Sequence, residues 1–344
     1  MLVQQLVRIV GVHGLGRSGC SFFFSLTDCF LKPMRVYLRP GTGCSLCHRG
    51  DNGRVADHLF PAKSPHSHSL RQRCRCRQKQ LPQMTQTIQQ LFDLTGKTAL
   101  VTAGARGLGL QMAQALGEAG ARVMLCDCLA DELEAATAQL QAVGIDARWV
   151  AADCTLEADL QKLVSETLQR IGDVDILVNH AHAAWAQSAQ QHPAAAWDQV
   201  MNLHLRGYFL LSHLVGQHSM LDRRSGRIIN IAPMAGPGGN PAAPATLACH
   251  TANGAVIGFT QALAAAWGQY NITVNALCPG VFQSGMTAGR QARPGAARPT
   301  ATLQRPCNGE DLKGSIVLLA SDAGQHISGQ CLAVDGGASL LPRQ

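Results

Sequence analysis

The chain has 344 residues, 46% of them hydrophobic and 15% charged, with a formal net charge of +7. Ordinary apolar content without a heptad or G-X-Y period excludes a coiled-coil, collagen-like or globally disordered protein. The charge is uneven: residues up to 83 hold 13 Lys and Arg against three Asp, and the rest holds 16 basic and 19 acidic residues. The basic pI therefore says nothing about the larger part of the chain, and no nucleic-acid partner is expected for it.

Of the 13 cysteines, six precede residue 84 and seven follow it. Such an odd, scattered count does not make a disulfide framework, so a reducing, cytoplasmic setting is expected. No run of 18 apolar residues exists, and the first apolar segment is broken by Gln4, Gln5 and Arg8. Neither a membrane span nor a secretory signal is expected.

Taken in chain order, residues 1–83 keep no helical or strand period and end in a basic knot at Arg71, Arg73, Arg75, Arg77 and Lys79. Cys44-x-x-Cys47-His48 and Cys74-x-Cys76 carry a weak zinc-finger signal, because no strand–turn framework surrounds them. The Arg-rich, acid-poor composition also fits an organelle transit peptide. The expectation is a disordered or spuriously translated extension, followed by one domain over 84–344.

Beyond Met84, strands and helices alternate regularly. Short apolar runs predict strands at 98–102, 122–126, 147–151, 175–179, 227–232, 273–276 and 330–334. Helical spacing links Leu108, Met112 and Leu116, and again Leu160, Leu163, Val164, Leu168 and Ile171. This alternation predicts an α/β fold, a doubly wound parallel sheet of Rossmann type covered on both faces. Residues 283–308 contain no carboxylate and are rich in Gly, Pro and Arg. They read as a mobile flap over the carboxyl edge of the sheet.

The first strand runs into Thr102-Ala103-Gly104-Ala105-Arg106-Gly107-Leu108-Gly109, where a helix opens. A Gly-rich strand-to-helix turn lets backbone N–H groups approach a pyrophosphate. Asp127 follows the second strand, 18 residues after Gly109. There a carboxylate accepts hydrogen bonds from ribose hydroxyls and repels a 2′-phosphate, favouring NAD over NADP. The plainer alternative is that Asp127 caps the helix beginning near Asp131.

From Leu91 onward the ordered motifs closely resemble the short-chain dehydrogenase/reductase family, especially gluconate 5-dehydrogenase-like members. The resemblance rests on the segment from Leu94 to Thr102, the Gly-rich turn, Asp153 after the third strand, and Leu177-Val178-Asn179. It continues in Gly226-Arg227-Ile228-Ile229-Asn230-Ile231, Val274-Asn275-Ala276 with Pro279-Gly280, and Gly329-Gln330 with Val334-Asp335-Gly336-Gly337. It implies seven strands, a homo-oligomer, and NAD-linked conversion of a secondary alcohol or sugar acid to its ketone. The implied cofactor contacts are Gly107, Gly109, Asp127, Asp153 at the adenine edge, Asn179 and Ser284. Thr102, Gly104, Arg106, Leu108, Pro279 and Gly280 lie in the same loops and join that set.

Departures from the family pattern are concentrated where chemistry would occur. The first Gly of the T-G-x-x-x-G-x-G turn is Ala103, and N-N-A-G reads Asn179-His180-Ala181-His182. In the family a Tyr phenol donates the proton, a Lys four residues later lowers its pKa, a Ser holds the substrate oxygen and an Asn supports a relay water. Those positions are Cys249, Asn253, Pro233 and His204 here. The only tyrosines are Tyr37, Tyr208 and Tyr270, and no lysine lies between Lys162 and Lys313. His180, His182, His204, Cys249 and His250 are soft ligands that suit zinc. Each, however, stands where the family has another residue, and no metal is expected. The competing expectation is a non-catalytic relative, a pseudoenzyme that binds a dinucleotide or serves as an oligomeric scaffold.

Overall fold

The computed structural model describes residues 86–183, 185, 187–233, 247–280, 301–305 and 307–340, together with the backbone of 8–9 and 24–25. The chain divides into two units, Met1–Thr85 and Gln86–Gln344. In the first, Arg8–Ile9 and Phe24–Ser25 pair as a two-residue antiparallel ladder. The cysteines at 44, 47, 74 and 76, and most of the expected flap at 283–308, lie outside the described residues.

The second unit carries all seven expected strands: β1 (Thr98–Thr102), β2 (Arg122–Asp127), β3 (Ala147–Ala151), β4 (Ile176–Asn179), β5 (Gly226–Ile231), β6 (Ile272–Pro279) and β7 (Cys331–Val334). They form one parallel sheet in the order β3-β2-β1-β4-β5-β6-β7. Among the described residues, its α-helices are α1 (Ile88–Phe92), α2 (Gly107–Glu118), α3 (Ala130–Ala142), α4 (Glu157–Ile171), α5 (Ala194–Met201), α6 (Gly207–Val215), α7 (Leu247–Trp267) and α8 (Glu310–Ala320).

Apolar runs become strands here because both faces are covered. Ala99, Val101, Val123, Leu125, Ile176 and Val178 pack under α2, α3 and α8. Their neighbours Leu100, Met124, Leu177, Ile228 and Val274 pack under α4 and α6. The period-2 alternation thus divides one hydrophobic run between two cores. In α4, Leu160, Leu163, Val164 and Ile171 are buried on one stripe, and full burial of such a side chain contributes about 1.5–3 kcal/mol.

Strand order places the site. The chain moves outward from β1 through β2 to β3, then crosses back to lay β4 on the other side of β1. A crevice opens at such a reversal, outside the carboxyl ends of the strands. The last residues of β1 and β4, Thr102 and Asn179, stand at its floor.

Candidate functional site

At the dinucleotide turn, Thr102 is buried, and its hydroxyl accepts hydrogen bonds from the backbone N–H of His180 (2.8 Å) and Ala181 (3.1 Å). One hydroxyl therefore ties the loop after β4 to the end of β1. The Gly104 N–H is held by the Cys126 carbonyl at 3.0 Å, so the turn is anchored to β2 as well. Ala103 takes a left-handed φ of +48°, and Gly107 takes +56° as α2 opens. A Cβ on Gly109 would overlap the Ala103 carbonyl and come 2.8 Å from Nδ1 of His180. Only glycine fits there.

Arg106 stands at the start of α2 without a side-chain cap, and its guanidinium pairs with Glu132 at 3.0 Å in an exposed bridge. The first N–H groups of α2 consequently have no side-chain acceptor at the helix start. This is the arrangement that accepts a phosphate oxygen. Leu108 lies in the same first turn.

The two acids end β2 and follow β3. Asp127 accepts the Cys128 N–H at 2.8 Å and faces the Cys128 thiol at 3.5 Å. The residue preceding α3 is Leu129, with no side-chain cap, so Asp127 does not cap that helix. Asp153 accepts both the N–H and the hydroxyl of Thr155, each at 2.8 Å.

Asn179 is turned away from solvent. Its amide nitrogen donates to Asn230 Oδ1 at 2.8 Å and Ser212 Oγ at 3.0 Å, and the Asn230 amide donates to Thr260 at 2.9 Å. This buried network joins β4, β5, α6 and α7. Sequence reasoning did not find it, because its members meet only once the β4–β5 register pairs Asn179 with Asn230. Pro279 ends β6, and the Gly280 N–H donates to Val334 at 3.0 Å. Ser284 lies outside the described residues.

Across the crevice, α5 continues through a π-helical turn at Asn202–Arg206 into α6. Such turns re-aim side chains inward and often occur at functional sites. Here the turn buries His204, whose Nε2 lies 2.7 Å from the Ala183 nitrogen and 3.1 Å from its oxygen. Cys249 and Asn253 sit four residues apart on α7, one helical turn along the same face. The half-buried Cys249 thiol donates to the Ala183 carbonyl at 3.4 Å. The Asn253 amide donates to the Pro233 carbonyl at 2.9 Å. Thus the structure brings together the four positions that the resemblance assigns to proton transfer: Cys249 and Asn253 bond to backbone carbonyls, His204 meets the Ala183 backbone and Asn253, and Pro233 offers only its carbonyl.

His180, His182 and His204 form a row, with ring centroids 5.2 Å and 5.9 Å apart. Burial pushes the pKa of His180 down to about 3 and that of His204 to about 4, with His182 adding to both shifts. Both buried rings are neutral at physiological pH. Among the described residues, no group of three or more His, Cys, Asp or Glu is disposed to hold a metal ion. Tyr208 offers no substitute phenol at the crevice. Its hydroxyl donates to the Ile231 carbonyl at 3.2 Å, and burial drives its pKa upward. Tyr270 stands before β6, at the opposite end of the sheet from the crevice.

Known proteins share this frame. The short chain dehydrogenase family profile matches residues 97–295. The 2-dehydro-3-deoxy-D-gluconate 5-dehydrogenase of Dickeya dadantii is 35% identical over 251 residues, covering 72% of this chain and 96% of its own. The gluconate 5-dehydrogenase of Gluconobacter oxydans is 31% identical over 255 residues, covering 73% and 97%. Among solved structures, a gluconate 5-dehydrogenase from Burkholderia cenocepacia, in complex with NADP and tartrate, superposes with a TM-score of 0.69 at 28% identity. That match covers 74% of this chain and 100% of the other. The seven-stranded parallel sheet, the glycine turn at its switch point and these matches agree: the chain belongs to the short-chain dehydrogenase family, among gluconate 5-dehydrogenase-like relatives.

Proposed function

We propose that the crevice binds a nicotinamide dinucleotide and that the protein lacks the family's tyrosine–lysine proton relay, so alcohol–ketone chemistry by that route is slow. The observation that carries this reading is the pair on α7. The thiol of Cys249 and the amide of Asn253 are each spent on a backbone carbonyl. The position four residues after Cys249, where the family has a lysine, is Asn253, and no lysine lies in the sequence between Lys162 and Lys313. Loss of positioned acid–base catalysis costs about 10²–10⁴-fold in rate.

The groove fits a dinucleotide at its pyrophosphate end. Gly107 leaves open space at the helix start, α2 presents uncapped N–H groups, and Asp127 stands at the end of β2 for a ribose. When bound, the nicotinamide supplies the hydride acceptor or donor. Asp127 favours NAD over NADP, because a carboxylate there repels a 2′-phosphate. NADH and NADPH titrations of the full chain test this reading: micromolar NADH binding supports it, and failure to bind either cofactor overturns it.

A second reading, an NAD-linked oxidoreductase of secondary alcohols or sugar acids, is favoured by the named activities of the relatives. Turnover of a sugar acid at a rate unaffected by restoring the lost side chains would favour it. The outward face of α7 also supports a homo-oligomer. Exposed Gly254, Gly258, Ala262 and Ala266 form a charge-free stripe of small residues. Sedimentation as a monomer at micromolar concentration would count against that assembly.

A further inference from the structure

The three imidazoles of the crevice differ in what each can do with a proton, and their hydrogen bonds show how. His204 Nε2 lies against both the N–H of Ala183 at 2.7 Å and its carbonyl oxygen at 3.1 Å, so that nitrogen is engaged by backbone in either tautomer. His180 is enclosed, with Nδ1 packed against Gly109 at the first turn of α2 and no hydrogen-bond partner for that atom. Neither ring can gain a proton without leaving a charge buried in the protein.

His182 is the exception. A carbonyl oxygen only accepts, so the 3.1 Å contact from Nδ1 to the His180 oxygen fixes the proton of His182 on Nδ1. Nε2 then carries the lone pair of a half-buried ring. The ring lies between the dinucleotide turn and the π-helical turn, tilted against His180 and edge-on to His204. Facing groups come from each element around it. They are His180 from its own loop, His204 from the α5–α6 turn, the Cys249 thiol of α7 through the Ala183 carbonyl, and Asn253 bonded to Pro233 beyond β5. In the family pattern this position is a glycine, so the imidazole is an addition to the site.

We propose that His182 Nε2 is the proton acceptor of this crevice, performing the proton transfer the missing phenol would have done. The idea rests on the reading that a nicotinamide dinucleotide binds here. In the oxidative direction the substrate O–H bond breaks and its proton passes to Nε2. The C–H bond breaks with its electron pair going to the nicotinamide ring, and the C=O bond forms. In reduction, protonated His182 returns that proton to the oxygen.

The test uses the full chain, its His182→Gln and His182→Gly variants, NADH binding by fluorescence, and turnover of D-gluconate with NAD from pH 5 to 9. A second readout follows the histidine ring resonances by NMR over the same range. The expected result is NADH affinity within about threefold in all three proteins, with kcat lowered about 10²–10⁴-fold in both variants. The acid limb of the pH profile should disappear with the ring. By NMR, the ring resonances of His180 and His204 should stay fixed over this range, because burial holds both rings neutral. Variants that turn over like the parent with the limb intact overturn the proposal alone. So does a parent chain that binds NADH yet reduces no NAD at any pH. Absence of NADH binding overturns the underlying reading, and the proposal with it.

Discussion

The two ends of the crevice are built to different standards. At the dinucleotide end, each polar group of the turn is aimed: Thr102 clamps the β4 loop, Cys126 holds Gly104, and Gly109 leaves no room for a side chain. At the α7 end, Cys249 and Asn253 are absorbed by backbone carbonyls, His204 by the Ala183 backbone and Asn253, and Pro233 has no polar side chain to offer. A fold can thus keep its binding architecture while its reactive side chains drift. The turn is locked by backbone packing shared with the core, whereas a side chain that only touches substrate can change without unfolding anything.

Putting the lost groups back is the largest test of this contrast. In the His182→Gly background, Pro233→Ser, Cys249→Tyr and Asn253→Lys together should raise NAD-linked turnover about 10²–10⁴-fold while changing NADH affinity little. Steady-state rates beside fluorescence titrations check both halves of the statement. Equal rates in the His182→Gly protein and its restored form would erase the difference between the two ends.

The opposite end breaks with one methyl group. Gly109→Ala places a Cβ into the Ala103 carbonyl and against the His180 ring. Overpacking of that kind costs about 1–3 kcal/mol. NADH binding should weaken by roughly one to two orders of magnitude, with a lower Tm, measured by titration and thermal melts. A variant that binds normally would mean the turn is looser than its packing implies.

Much of the frame was readable beforehand, for a physical reason. Strands buried on both faces must be apolar throughout, so the central strands announce themselves by composition, and the half-exposed edge strands β3 and β7 by their place in the alternation. The misses are instructive. The sixth strand extends over Ile272–Pro279, well past the expected end at 276, because a terminal strand position tolerates a proline. The single-turn helix α1, held by a Thr87–Gln90 capping box, is too short to show periodicity. The side-chain amide of Asn179 bonds sideways into β5 and α6, a partnership the local sequence does not announce. That partnership spans 51 residues and depends on strand register. The row of histidines likewise needs the π-helical turn to carry His204 inward, and local sequence does not encode that rotation.

Acid should act on the crevice histidines in a predictable direction. Unfolded, each titrates near 6.5; folded, His180 titrates at about 3 and His204 at about 4, chiefly through burial. Above pH 6.5 both are neutral in either state, and the stability they contribute is intact. Below it the unfolded chain takes up protons that the folded chain refuses. Stability then falls by up to about 1.4 kcal/mol per pH unit for each ring until its folded pKa is reached. Denaturant melts between pH 6.5 and 4 should show this slope, and His204→Asn should flatten it by about half. A variant as acid-sensitive as the parent would place the buried proton-refusing groups elsewhere.

The smallest effect is the sharpest test of whether binding has begun to erode as well. Ala103 holds a φ of +48°, a conformation in which a Cβ crowds the following carbonyl and costs roughly 1 kcal/mol. The family pattern has glycine there. If the strain is stored in the turn that receives the pyrophosphate, Ala103→Gly should relieve it and tighten NADH binding by about fivefold, since 1.4 kcal/mol corresponds to a factor of ten. Stability should change less than affinity, because the glycine also gains freedom in the unfolded chain. Calorimetric titration beside a melt separates the two. Tighter binding would mean that the dinucleotide end has drifted in the same direction as the α7 end, only less far. Unchanged binding would mean that the methyl points clear of the phosphates, and that the two ends have diverged in kind rather than in degree.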